Sequence, residues 1–107
     1  MVKAYFKDSE HNITVPGLTQ WDYGQVLMIH GLEAAGKVEV HYAECRQRKE
    51  AIIDVPKSQD GILSSRVPNK LLESGEDLCA YIYIADEDSG ETVRTIILPV
   101  KRRQKPG

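Results

Sequence analysis

Alternation with a period of two is the feature that most constrains this chain. Across residues 37–43, Val38, Val40 and Tyr42 fall on one side of an extended backbone, and Lys37, Glu39 and His41 fall on the other. That is the pattern of a strand half-buried on a core. An amphipathic helix would return its apolar residues every three or four positions, and this stretch does not. Residues 78–85 and 92–100 are two further runs rich in β-branched and aromatic residues, joined by Asp86-Glu87-Asp88-Ser89-Gly90-Glu91. Gly90 can take the positive φ of a tight hairpin, and the acidic residues keep the tip in water.

Shorter runs fill the rest. Residues 2–6 read as a first strand and 11–15 as a second, stopped by Pro16-Gly17. Residues 25–30 carry the continuous apolar run Val26-Leu27-Met28-Ile29, which suits a strand buried on both sides and ended by Gly31. Residues 51–55 and 62–67 are weaker strand candidates around the turn Ser58-Gln59-Asp60-Gly61. One helix-like piece lies at 67–75, where Pro68 suits the first helical position and Gly75 the stop. At about two turns it is a connector. Short strands punctuated by turn residues predict an all-β fold, an antiparallel β-sandwich with one short helical connector. It is expected as a single domain over residues 1–100, with a basic linker at 101–107 leading towards a missing C-terminal part.

At 107 residues there is room for one hydrophobic core. Apolar residues make up 41% and charged residues 28%, as in globular proteins, and no apolar run approaches the roughly 20 residues that span a bilayer. No membrane association and no signal peptide are expected. The net charge of −2 is unevenly spread, because Lys101, Arg102, Arg103 and Lys105 crowd the last seven residues. Without those four the body has 10 basic and 16 acidic residues, a balance of −6. A nucleic-acid partner is therefore not expected, since phosphates need a basic face. Cys45 and Cys79 are read as two free thiols, because nothing in the chain signals secretion.

Several motifs invite a chemical reading. Gly31-Leu32-Glu33-Ala34-Ala35-Gly36-Lys37 fits G-x-x-x-x-G-K, but Val38 stands where Ser or Thr should hold Mg²⁺, and a strand follows where a helix should open. It reads as a link between strands. Asp86, Asp88 and Glu91 present oxygens without the twelve-residue spacing of a calcium loop. His41 and Cys45, with His11 and His30 elsewhere, lack the paired spacing of a zinc site. No nucleophile elbow and no local signature marks a catalytic Ser or Cys. Asn12-Ile13-Thr14 matches a glycosylation acceptor that has no consequence without secretion. No catalytic, cofactor-binding or metal residue is assigned, no cofactor is expected, and the binding residues are left unknown. Trp21, with Tyr23, Tyr42, Tyr81 and Tyr83, leaves two alternatives: a sugar-stacking platform, or a buried Trp anchoring the sandwich with tyrosines at its rim. Burial of Trp21 is the expectation.

An ordered set of segments adds to this reading. Ile13-Thr14-Val15-Pro16, Trp21-Asp22-Tyr23-Gly24-Gln25, Ile29-His30-Gly31-Leu32 and Val38-Glu39-Val40-His41-Tyr42 are followed by Val67-Pro68 and Leu71-Leu72. Tyr81-Ile82-Tyr83, Asp88-Ser89-Gly90-Glu91-Thr92 and Pro99-Val100 complete it. Together, over roughly residues 11–106, they resemble an N-terminal domain of tail and baseplate proteins from phages and prophages of Gram-positive bacteria. The named family they resemble is the baseplate upper protein N-terminal domain. The resemblance implies an immunoglobulin-like sandwich without catalytic residues, made in the bacterial cytoplasm without secretion and placed in the virion tail. It would be a structural module docking onto other phage tail and baseplate proteins. A longer, homo-oligomeric parent is implied, whose state the isolated domain need not share. The alternative function is a carbohydrate-binding module for host-surface glycans.

Overall fold

The structure, a computed structural model, describes residues 1–32, 36–46, 50–86 and 90–107. Eleven strands and one helical turn are described. A four-stranded sheet has the order β1 (Val2–Tyr5), β4 (Val26–His30), β8 (Ile62–Arg66), β7 (Lys57–Gln59). A five-stranded sheet has the order β2 (Asn12–Thr14), β10 (Gly90–Leu98), β9 (Leu78–Asp86), β5 (Lys37–Glu44), β6 (Ile52–Asp54). A short pair, β3 (Leu18–Thr19) with β11 (Val100–Lys101), stands at one end. The only described helix is α1 (Asn69–Leu72). The fold is all-β, and the inner faces of the two large sheets share one core.

Alternation decides what enters that core. On β5, Val38, Val40 and Tyr42 are buried; on β9, Leu78, Ala80, Ile82 and Ile84; on β10, Ile96 and Leu98. The four-stranded sheet contributes Val2, Ala4, Leu27, Ile29 and Leu63. The hairpin read from residues 78–85 and 92–100 forms as expected, with Val93 opposite Tyr83 and Ile97 opposite Cys79. Its acidic tip, residues 87–89, lies outside the described residues. The weaker candidates at 51–55 and 62–67 become β6 and β8. Between them β7 and β8 form a hairpin whose Asp60 and Gly61 both have positive φ, 53° and 76°. That is the chemistry of a two-residue turn twisting with its strands.

Four expectations are corrected. The sheets are mixed: β1 runs parallel to β4, β2 to β10 and β11 to β3. The chain leaves β1 in one sheet for β2 in the other, so both first strands join as parallel edges. β4 buries Leu27 and Ile29 but leaves Val26, Met28 and His30 half-buried, so one face alone meets the core. Pro68 caps α1 at φ −62° and ψ 123° and does not occupy its first turn. Cys45 and Cys79 are joined in a disulfide, not free. Antiparallel register puts Ala43 opposite Cys79, and Cys45 N donates to Asp77 O at 2.9 Å, so the two Cα atoms lie 5.3 Å apart, within disulfide range. The pair lies within the five-stranded sheet and does not bridge the two sheets.

Two constraints fix the sandwich, one within the four-stranded sheet and one between the sheets. Gly31 (φ 88°) follows β4 where any Cβ would lie 2.1 Å from the carbonyl oxygen of Phe6, so only glycine lets β4 end there. Inside the core, the Tyr42 hydroxyl donates to Ser65 Oγ at 2.7 Å, and Ser65 Oγ donates to Asp54 Oδ2 at 2.7 Å. Asp54 Oδ2 also accepts from Arg66 N at 3.0 Å. This chain crosses from β5 and β6 of one sheet to β8 of the other. Burial pushes the Tyr42 phenol well above its ordinary range, opposed by the Ser65 hydrogen bond and reinforced by the nearby Asp54 charge.

Tyr42→Phe is expected to cost about 1 kcal/mol, because Ser65 keeps Asp54 as its acceptor. Ser65→Ala should cost more, roughly 2–3 kcal/mol, since it strands a buried hydroxyl and removes a donor from Asp54. Chemical denaturation checks the order, and equal costs would contradict it. Above about pH 10 the unfolded phenol ionises while folded Tyr42 stays protonated, so stability should fall by up to about 1.4 kcal/mol per pH unit. Tyr42→Phe should flatten that part of the alkaline slope. The disulfide spans a sequence separation of 34, which on a chain-entropy model contributes about 3–4 kcal/mol. A Cys45→Ala, Cys79→Ala double variant should show that loss in a denaturant titration, and unchanged stability would rule the disulfide out as a stabiliser.

Candidate functional site

The richest cluster of polar contacts sits at the end of the sandwich where the chain leaves it. β3 pairs with β11 through Leu18 with Val100 and Thr19 with Lys101, and Gln20 N donates to Lys101 O at 2.8 Å. The chain then turns sharply, with Asp22 N donating to Thr19 O at 3.1 Å and Trp21 held at φ 70°. A bulky residue in the left-handed region costs about 1–2 kcal/mol, so neighbouring bonds must over-determine it. Here they do. Trp21 N donates to Leu72 O, Gly24 N to Asn69 Oδ1 at 2.9 Å, and the Tyr23 hydroxyl to Glu73 Oε1 at 2.7 Å. That last bond, with lesser desolvation and the Glu73 charge, holds the Tyr23 phenol above its usual range.

Gln20 is the hub. Its Nε2 donates to Glu73 O at 3.0 Å, its Oε1 accepts from Arg103 N at 3.1 Å, and its backbone O accepts from Arg103 Nε at 2.7 Å. Gly75 (φ 70°) makes room, since a Cβ there would lie 2.9 Å from the Gln20 amide. Arg102 donates from Nε to Gly75 O at 3.2 Å and from Nη2 to Glu76 Oε1 at 2.6 Å. Lys105 Nζ lies 5.2 Å from the centre of the Trp21 ring, a cation over an aromatic face. Arg102, Arg103 and Lys105 thus lie along the domain as a clasped strap, although their side chains remain exposed. Trp21 is only partly buried, against the expectation of a core anchor; Tyr42 takes the aromatic place in the core.

The remaining candidates separate in space. The glycine loop runs from Gly31, after β4, to Lys37, the first residue of β5, and its residues 33–35 lie outside the described residues. A strand follows it. Of the acidic tip, Asp86 ends β9, while Asp88 lies outside the described residues. Cys45 is committed to its disulfide, and His41 Nε2 lies 3.1 Å from Glu39 Oε1 on the outer face of β5. His30 stacks on Tyr5 at 4.4 Å on the other sheet, and His11 gives its carbonyl to Thr95 N. Among the described residues no group of three or more His, Cys, Asp or Glu side chains could hold a metal ion. No described helix is long and apolar enough to cross a membrane. Asn12 and Thr14 lie on β2. Tyr81 and Tyr83 stand on β9, on the outer face of the five-stranded sheet, and Trp21 and Tyr23 lie in the turn after β3.

The clasp was missed at the sequence level because a charged tail reads as solvated unless its acceptors are known. The signal that could have found it is the spacing of Gln20 and Gly75 around a Trp, which carries meaning only once the two loops are adjacent. No protein-family model matches the chain, and no curated protein matches it either.

Gln20→Ala removes the two side-chain bonds that join the loop at Glu73 to Arg103, and should cost about 1–2 kcal/mol. It should also free Lys105 from the indole, so that acrylamide quenches Trp21 emission more readily. Truncation after Lys101 should raise quenching to the same level. Unchanged quenching in both would mean that the strap does not cover Trp21.

Proposed function

We propose that this domain is a non-enzymatic structural and assembly module of a phage or prophage tail, acting in the baseplate by docking onto neighbouring tail subunits. One observation carries the reading. Three of the segments behind the resemblance, Trp21–Gln25, Val67-Pro68 and Leu71-Leu72, close on one another at one end of the fold, beside the β3–β11 pair that holds Val100. Val67 N donates to Gln25 O at 3.0 Å, Trp21 N to Leu72 O, and Val100 pairs beside Leu18. Segments far apart in sequence that interlock this way act as one unit, which gives a physical reason for them to occur together.

The strand order supports the immunoglobulin-like form of the sandwich. β1-β4-β8-β7 matches an A-B-E-D sheet, and β10-β9-β5-β6 follows G-F-C-C′. The parallel β1 edge and a disulfide inside one sheet depart from the antibody pattern. A disulfide also suits a protein that works on a virion surface. The carbohydrate reading has less support. Lys105 lies over the Trp21 ring, the Tyr23 hydroxyl is engaged by Glu73, and Tyr81 and Tyr83 belong to a strand, β9, and not to the Trp21 turn.

The test is localisation in particles. Antibody raised against this domain should label the distal end of the tail in purified particles from an induced host, and its peptides should appear in their mass spectra. Intact, tailed particles without the protein would overturn the proposal.

A further inference from the structure

The sandwich is open along the side where β1 and β2 lie, and both strands are edges there. Among the described strands β1 pairs only with β4, and β2 only with β10. The phase of the hydrogen bonds shows which backbone groups are left over. Phe6 N donates to His30 O, so in a ladder of period two Phe6, Ala4 and Val2 turn their N–H and C=O groups to β4. Lys3 and Tyr5 turn theirs away. On β2, Thr95 N donates to His11 O and Val15 N to Ile97 O, so Asn12 and Thr14 turn theirs away from β10. No described residue bonds to the backbone of those four. All four line one groove of about 460 Å³ between the two strands. Ile13 and Val15 line it too, the first packed against the core and the second buried in it.

We propose that the free edge of β1 takes an extended acidic segment of another protein, which joins the four-stranded sheet as a fifth strand. Unpaired N–H and C=O groups repeating about every 7 Å are matched by a second extended backbone. Alternation then fixes the character of the segment's side chains. Those turned inward meet Ile13 and Val15 and are apolar. Those turned outward stand beside Lys3 and Tyr5, the latter 59% exposed. The strand positions of that sheet face also carry Lys57 and Arg66, and no carboxylate. A carboxylate opposite Lys3 is what this field favours. Glu10, the one acidic residue lining the groove, is held by Lys7 N at 2.7 Å, and Asp8 stands in the turn beyond. A second copy is the poorer occupant, because its own β1 edge brings another Lys3 and the same basic face. The proposal gives the docking role above a place, and rests on that role for a protein as the partner.

Fluorescence anisotropy of a labelled eight-residue peptide alternating Glu and Val tests it on the whole 107-residue chain. That peptide should bind. One with the same residues in two blocks, and one alternating Lys and Val, should not. Lys3→Glu, at an exposed position, should weaken the Glu–Val peptide by at least about ten-fold and admit the Lys–Val peptide. Tyr5→Pro should abolish both, since it removes an N–H from the free edge and none from the β4 ladder. Circular dichroism and melting temperature report whether each variant stays folded, and Lys3→Glu decides alone if the proline variant does not. In hydrogen exchange, the amides of Lys3 and Tyr5 should gain protection when the Glu–Val peptide is added. No binding, equal binding of the block peptide, indifference to Lys3→Glu, or protection at Asn12 and Thr14 in place of Lys3 and Tyr5 each overturn the proposal. Any of these removes the site and leaves the virion reading to the particles. Particles that lack the protein would overturn that reading without touching the peptide result.

Discussion

β9 pairs with β10 along its whole length and with β5 from Leu78 to Ala85, and the molecule is organised around that double ladder. A strand with long antiparallel neighbours on both sides has its register fixed twice, and a one-residue slip would turn every core side chain to the wrong face. Leu78, Ala80, Ile82 and Ile84 then point inward together, between Val38, Val40 and Tyr42 on one side and Ile96 and Leu98 on the other. The same register brings Cys79 beside Cys45, aligns Tyr81 with His41, and sets Tyr42 where its hydroxyl can reach Ser65 across the core.

What the sequence makes legible follows from this. Residues 37–43 and the 78–100 hairpin announce themselves because runs of seven to nine strand-forming residues outweigh any chance pattern. β3 and β11 contain two residues each, and no period can be read from two. β7, Lys-Ser-Gln, is fully exposed and has no apolar residue to betray it. The mixed pairing of β1 and β2 depends on which sheet the chain joins after each turn, and that is a tertiary choice. The disulfide falls in the same class. Neither cysteine has a local signature, and their proximity exists only once β5 and β9 are in register. Of the candidate site, the segment Trp21-Asp22-Tyr23-Gly24-Gln25 stood out from the start, but its role did not. Gln20, just before it, makes more bridging hydrogen bonds than any single residue of that segment, and Arg102 and Arg103 read as solvent-facing charge.

Polar groups hold this fold in two different ways. In the core, Tyr42, Ser65 and Asp54 form a short chain in which each hydroxyl finds an acceptor, so burial carries no unpaired donor. Such a chain fixes how the sheets face each other, because apolar packing alone would tolerate small slides. At the end of the sandwich the bonds are exposed, each weak against water, yet they are numerous and share residues. Gln20 serves two loops and the strap at once. Losing any one contact there leaves the others in place, whereas losing Ser65 disables its whole chain.

This division of labour bears on what the surfaces are free to do. The outer side of the five-stranded sheet shares in the fold's stability, since Ala43 and Cys79 are buried there and the disulfide lies beside them. Ile53, Val93 and Ile97 are exposed there, as scattered surface aliphatics of strands commonly are. The strap works in the complementary direction. With Arg102 on Gly75 and Glu76, Arg103 on Gln20 and Lys105 over Trp21, residues 102–105 follow the body of the domain and do not swing from it. The strap therefore adds to the end of the sandwich the same kind of cross-loop fastening that the Tyr42–Ser65–Asp54 chain gives its core.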